Sequence, residues 1–431
     1  MTRVAIIGNG VAGATAALHI ARHPNYSVTI ISDESPYFFA RTALMYAYMG
    51  HIRTSDLKPY PDTLWDNYHI HRIHDRVTDI DFQHKHLHLT KGQVIPYDIL
   101  ILATGSIPHR IDWPGIHLDR VGYLYHLQDL HRLEHWTPHI RHAVIVGGGL
   151  IGIELAEMLR SRNKQVTFLV RESHFWNIVL SDSEAQLIDQ HIREHGVDLQ
   201  LNTELEEIVD DGSGKVGAVR TSSGDLIPCQ YVGITIGVVP NVQWLQNTPL
   251  HIDTGIVVDE LLRTNIDDVY AIGDCAQLQH TAPHRRPIEP VWYTARKMGQ
   301  CVAATVTGNP TPYRQGLWYN SAKFFDIEYQ TYGYVPPQPH PDTDDFLWQD
   351  PAHYRSLRIH YRRDNHAILG INALGLRLRQ EQCHQWIQQA TPLPKVISQL
   401  HRASFDPEGQ TSYIHDIQQQ FHAQFYTTNT P

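Results

Sequence analysis

Val4-Ala5-Ile6-Ile7-Gly8-Asn9-Gly10-Val11-Ala12-Gly13 stands almost at the start of the chain. The four apolar residues read as a strand buried on both faces, and the glycines as a tight turn into a helix. Each glycine has its own task in such a turn. Gly8 allows the sharp bend, Gly10 lets a pyrophosphate approach the backbone, and Gly13 lets helix and strand close up. The helix that follows points unpaired N–H groups at the phosphates, and Val11, at its start, is a candidate cofactor-binding residue. Ala14 to Arg22 continues as an alanine-rich helix and Ser27-Val28-Thr29-Ile30-Ile31 as a second strand. Asp33 comes just after it, 20 residues beyond Gly13, where a carboxylate can accept hydrogen bonds from a ribose.

The pattern returns roughly 140 residues later. Ala143-Val144-Ile145-Val146 is a strand, Gly147-Gly148-Gly149-Leu150-Ile151-Gly152 repeats the glycine turn, Ile153 to Arg160 reads as a helix, and Val166 to Val170 as the next strand. Two such units predict two dinucleotide sites. In both, the residue that usually ends the second strand as an acid is replaced, by Ser32 and by Val170, and the polar residue comes one later, as Asp33 and Arg171. An arginine suits a 2′-phosphate and an acid a bare 2′-hydroxyl. The pair Arg171-Glu172 therefore leaves NADH and NADPH both open.

At roughly 150 residues per domain, 431 residues predict two to three domains. A formal net charge of -10 excludes a broad basic surface for nucleic acid. No apolar run reaches the roughly 18 residues that span a bilayer, and the chain opens directly on a strand, with no signal peptide. The four cysteines, Cys229, Cys275, Cys301 and Cys383, include no C-x-x-C pair and suggest a reducing, cytoplasmic setting. The 30 histidines raise the question of metal. His84, His86 and His88 alternate on one face of a strand. No cysteine or acid completes a site there and Lys85 sits among them, so they read as a solvated face, as do His69, His71 and His74, and no metal is expected.

Three further segments narrow the class. Tyr97 to Leu102 is an apolar strand ending in Ala103-Thr104-Gly105, Val269 to Ile272 is a strand ending in Gly273-Asp274, and Glu154 sits inside the second glycine-led helix. Together with the glycine turns these resemble the pyridine nucleotide-disulfide oxidoreductase superfamily, over about residues 3–335. The resemblance implies an α/β chain with two Rossmann-like domains, FAD on the first and NAD(P)H on the second, and a C-terminal α+β domain. Within the superfamily the chain is most similar to the rubredoxin/ferredoxin reductase branch and to the flavin part of assimilatory nitrite reductase. The segments that carry this are Ser35 to Leu44, which includes Arg41, then Ile288 to Gly299, and then Trp318 to Gln330. The resemblance places Asp274 on the flavin ribitol, Ala103, Thr104 and Gly105 near the flavin, and Ala12, Val77 and Val291 in contact with FAD. It places Glu154 near the nicotinamide. Tyr46, Tyr125 and Thr42 depart from the branch's pattern, which weakens transfer of its acceptor proteins.

The disulfide-reducing members carry a redox cysteine pair early in the FAD domain, and here no cysteine precedes Cys229. That leaves NAD(P)H giving a hydride to flavin N5, with the electrons passing onward to a small redox protein. Glu154 and Glu289 are the acids placed to orient the nicotinamide or tune the flavin. Arg285-Arg286 and Arg377/Arg379 are candidate basic patches for an acidic acceptor. Two alternatives stay open: a peripheral NADH:quinone reductase, which needs a membrane-facing apolar stripe along 413–425, and a non-catalytic flavoprotein redox sensor. Domain boundaries are expected at 1–115 with 245–320 for FAD, 116–244 for NAD(P)H, and 321–431 for a third domain that in relatives covers the flavin and often forms a homodimer. Trp113-Pro114-Gly115 and Val239-Pro240-Asn241 are the expected crossings. The last eight residues are expected to fray.

Overall fold

The computed structural model describes residues 1–405 and 412–427. Along the chain run β1 (Thr2–Ile7), α1 (Val11–Ile20), β2 (Tyr26–Ser32), β3 (His71–His74), β4 (Ile99–Leu102), α2 (Leu127–Trp136), β5 (His142–Val146), α3 (Leu150–Ser161), β6 (Gln165–Leu169), α4 (Asp182–Glu194), β7 (Val197–Gln200) and β8 (Tyr231–Ile234). They are followed by β9 (Val269–Ala271), α5 (Trp292–Val306), β10 (Tyr319–Phe324), β11 (Ile327–Gly333), β12 (Thr343–Asp350), β13 (Arg355–Arg362), β14 (Ile368–Leu374), α6 (Gln380–Gln388) and α7 (Ser412–Thr427). The chain divides into two compact units: 1–111 with 122–138 and 237–316, and 112–121 with 139–236 and 317–431.

In the first unit five parallel strands lie in the order β9–β4–β1–β2–β3. Val4 to Ile7 are all buried, as expected of a central parallel strand covered on both faces. Both glycine-led helices begin earlier than their apolar patterns suggest, at Val11 and Leu150, because the glycine turn itself feeds the first helical turn. Helix α1 is alanine-rich because α5 lies against it. A Cβ on Gly299 would collide with the Ala12 carbonyl and with Thr15, so only small residues fit at this crossing. Residues 122–138, expected in the 116–244 segment, pack in this unit. There the Tyr48 hydroxyl meets Thr137 Oγ1 at 2.7 Å, and the Leu127 amide donates to Glu34 Oε1 at 3.0 Å. The chain leaves and re-enters the unit side by side. Ser106–Pro108 and Val238–Pro240 pair antiparallel, next to the crossing foreseen at Asn241.

In the second unit the parallel strands run β7–β6–β5–β8. The C-terminal part adds a five-stranded antiparallel sheet, β10–β11–β14–β13–β12, with helices α6 and α7. One face of α7 is deeply buried: Tyr413, Ile414, Ile417 and Phe421 join the apolar core of Phe346, Trp348, Leu357 and Ile359. The stripe that a membrane-binding reading of 413–425 requires is spent on the domain's own core. Helix α7 extends to Thr427, and of the last eight residues 428–431 lie outside the described ones.

Candidate functional site

A cleft of about 510 Å³ opens along the carboxyl ends of the first unit's strands. Parallel sheets place ligands there because helix N-termini and strand-end loops converge at that edge. Gly8, Gly10, Asp33, Arg41, Val77, Ala103, Thr104 and Gly105 line it, as the sequence leads one to expect. Gly8 sits at φ +110, and a side chain on it would overlap the Ala103 carbonyl oxygen, while one on Gly13 would overlap the Gly8 carbonyl. Gly10 is different: nothing lies within 4 Å of where its Cβ would be. The protein leaves that side of the turn open, as a pyrophosphate requires.

Gly13, Ala12 and Val291 do not line the cleft. Gly13 and Ala12 are buried against the turn and against Gly273 and Gly299, and Val291 is the N-cap residue just before α5. Asp274 lies one shell behind, accepting from Ser106 Oγ at 2.9 Å. Burial raises its pKa, partly offset by Ser106 and the Arg41 charge.

The cleft also contains residues the sequence reading passed over. Glu34 holds Arg41 through two bonds, Arg41 Nη1 to Oε1 at 2.9 Å and Nη2 to Oε2 at 2.7 Å. Arg41 also donates to the Tyr125 carbonyl oxygen, and its guanidinium lies 4.4 Å from the centre of the Tyr125 ring. Asp75, Arg76, Asn241 and Trp244 complete the wall. The Asn241 amide donates to Gly105 O at 2.9 Å, and Thr104 Oγ1 returns a bond to Asn241 O at 3.0 Å. The Ala-Thr-Gly segment is thereby fixed by the strand that re-enters the unit.

Glu289 is buried with Arg285 in the same unit. Arg285 Nε and Nη2 each donate to one carboxylate oxygen at 2.6 Å, and Nη1 donates to the Gly316 carbonyl at 2.6 Å. The Arg285 side chain is only 8% exposed, so of the pair Arg285-Arg286 only Arg286 stands at the surface. In the other candidate pair, Arg377 is exposed but tied bidentately to Glu328, and Arg379 is exposed.

In the second unit the glycine turn has the same form. Gly147 lies at φ +114 against Thr235, Gly152 packs on the Gly147 carbonyl, and the Gly149 position is open. Helix α3 starts at Leu150 and carries Ile151 in its first turn. Arg171 is 70% exposed and donates to Glu172 Oε1 at 2.9 Å. Glu154, on α3, has its pKa pushed up to about 7 by burial and then by Glu157, with Lys323 working the other way.

The alternating histidines do not share one strand face. His84 lies in a turn, with its amide and Nδ1 bound to Asp81 at 2.9 and 2.7 Å, and only His86 and His88 belong to the strand His86–Leu89. The four cysteines are free and buried.

Two nucleotide-type parallel sheets, each with a glycine turn open at its middle glycine, define a protein of the class that handles two dinucleotides. The profile described as pyridine nucleotide-disulphide oxidoreductase matches residues 2–304. The chain is 32% identical over 326 residues to rhodocoxin reductase of Rhodococcus erythropolis, covering 74% of this chain and 76% of that one. It is 27% identical over 312 residues to rubredoxin-NAD(+) reductase of Pseudomonas putida, covering 72% and 81%. Among solved structures, the ferredoxin reductase for the CYP199A2 system of Rhodopseudomonas palustris superposes with a TM-score of 0.80 at 25% identity, covering 97% of this chain and all of that one. The chain belongs to the pyridine nucleotide-disulphide oxidoreductase family. It is an oxidoreductase that uses FAD and NAD(P)H. The open positions at Gly10 and Gly149 and the long first cleft fit those two groups. No described helix is long and apolar enough to cross a membrane.

Proposed function

We propose that this enzyme takes electrons from NAD(P)H and delivers them to a small redox protein of the rubredoxin or ferredoxin kind, in the cytoplasm. The observation that carries the reading is the lack of a thiol route at the first cleft. No cysteine lines it. Cys275, next to Asp274, is fully buried, and its Sγ donates to the carbonyls of Leu102 at 3.4 Å and Ile272 at 3.3 Å. Burial raises its pKa, so it holds its proton and takes no part in disulfide exchange. The relatives reported above, reductases of rhodocoxin and rubredoxin, support the same acceptor class.

In this reading the first cleft holds FAD. Gly8, Gly10 and the α1 N-terminus receive its pyrophosphate, with Val11 and Ala12 in the first helical turn. Asp33 and Glu34 face a ribose, and Asp274 and Ser106 the ribitol. Val77, Ala103, Thr104 and Gly105 shape the remainder, while Val291, read as an FAD contact, lies outside the lining of the cleft. A bound flavin would supply the hydride-accepting and electron-donating chemistry between NAD(P)H and the acceptor. The turn Gly147, Gly149, Leu150, Ile151, Gly152 binds NAD(P)H, with Arg171 and Glu172 beside its ribose. Glu154 exchanges its proton near neutral pH and orients the nicotinamide. Glu289, with both oxygens engaged by Arg285, is a positioning residue. The chain is read as three domains, 1–115 with 245–320, 116–244 and 321–431, with 122–138 of the second packing in the unit of the first.

Anaerobic reduction with NADH and NADPH in parallel, followed by rubredoxin, a [2Fe–2S] ferredoxin, a soluble quinone and an aromatic disulfide, tests this. Fast bleaching of the flavin and turnover with an iron–sulfur or rubredoxin acceptor are expected. Flavin that NAD(P)H does not bleach, or turnover confined to quinone or disulfide, overturns it.

A further inference from the structure

Among the described residues, one group of three has metal-ligand geometry: His191, His195 and Asp326, whose ligand atoms all lie within 4.8 Å of one another. The two histidines are four residues apart at the end of α4, on one face of the helix. Asp326 comes from the two-residue turn joining β10 to β11. That turn holds Phe325 at φ +55, a conformation an aromatic residue adopts only when its surroundings require it. The Phe325 ring stacks on His195 with centroids 4.3 Å apart, and the turn brings Asp326 Oδ1 to 2.6 Å from His191 Nε2 and 3.5 Å from His195 Nε2.

The protonation pattern suits a cation. His195 Nδ1 lies 2.9 Å from the His191 carbonyl, which can only accept. Nδ1 therefore carries the proton and Nε2 turns its lone pair toward Asp326, the arrangement that orients a metal-binding imidazole. His191, whose Nε2 faces Asp326, is itself buried. Its Nδ1 is buried without a hydrogen-bond partner, so Asp326 alone holds its tautomer. Glu194, bound by the Tyr354 hydroxyl, adds a second negative charge beside the pair. Asp326 is 76% exposed and His195 33%, so an ion can enter from solvent.

We propose that His191, His195 and Asp326 bind one divalent transition ion of the zinc class, with water in the fourth position. Bonds of about 2.0 Å in a tetrahedron put ligand atoms about 3.3 Å apart. The exposed carboxylate and the His195 ring reach that spacing by small rotations. The ion ties α4 to the β10–β11 turn within the second unit. It is independent of the electron acceptor.

Untagged, full-length, FAD-loaded protein, stripped with a chelator and titrated with zinc chloride by calorimetry and equilibrium dialysis, tests the site. About one equivalent is expected at micromolar affinity, with a higher Tm in its presence. Asp326→Ala and His195→Ala should each weaken binding at least tenfold and abolish the Tm gain. A His84→Ala/His86→Ala/His88→Ala control should bind as wild type. Asp326→Asn, nearly isosteric at an exposed position, serves if either alanine variant fails to retain flavin. Stoichiometry far below one, or equal affinity in wild type and site variants, overturns the proposal.

Discussion

The two glycine turns invite a direct comparison. At each, the first glycine has a positive φ and lies against a strand-end carbonyl, of Ala103 in one and Thr235 in the other. The third glycine packs on the first, and the middle glycine faces open space. What surrounds them differs. The first turn opens into a cleft walled by eight separate stretches of chain and held by a partly buried Glu34–Arg41 pair. The second has the apolar Val170 against Gly148 and an exposed arginine beyond it. The backbone of such a turn is thus reusable for any pyrophosphate. The polar side chains after the second strand decide how much of the rest of the ligand is enclosed, which fits a cofactor that stays at the first site and one that comes and goes at the second.

The largest expected effect separates the two turns. Gly10→Val should fold, because the space is open, yet purify with less than a tenth of the wild-type flavin, read from the ratio of visible to protein absorbance. Gly149→Val should keep its flavin and raise the KM for NAD(P)H at least tenfold in stopped-flow reduction. Equal flavin loss in both variants would erase the distinction. Next in size, Glu34→Ala strips Arg41 of its carboxylate inside the cleft. Removing one partner of a partly buried pair costs about 2–3 kcal/mol, and weaker flavin retention together with a lower Tm is expected.

Glu154 sharpens the comparison through pH. Its folded pKa of about 7 lies above the ordinary glutamate value, so the folded state holds a proton that the unfolded chain has lost. The associated stability is present in full below about pH 4.5 and disappears as pH rises through 7. Denaturant midpoints should therefore fall between pH 5.5 and 8 in wild type, with a shallower fall in Glu154→Gln. An identical slope in both would show that the group titrates normally. The smallest effect is expected at Arg171. Arg171→Ala should raise the KM for NADPH a few-fold more than that for NADH, because an exposed charge contributes little beyond a 2′-phosphate contact.

Both turns were legible in the sequence because their requirements are local: an apolar strand, three glycines and a helix, all within a dozen residues. Glu34, Asn241 and Trp244 were not, since each becomes part of the cleft only when distant segments meet. Glu34 is one residue past the acid that the motif highlights. The histidine face failed for a related reason. Alternation was extended through His84, where Asp81 has already turned the chain and Lys85 has adopted φ +55. Arg285 looked like a surface charge because its buried partner, Glu289, was assigned to the flavin.

The burial of all four cysteines has a practical side. Cys275 and Cys383 are sealed in apolar surroundings, and Cys301, the least enclosed, is 8% exposed. A cysteine introduced at an exposed position such as Trp292 would be the one thiol that reagents reach readily in the folded enzyme. A single cross-linker, spin label or fluorophore can then be placed on the native background, and covalent capture of an acceptor protein needs no prior removal of wild-type cysteines.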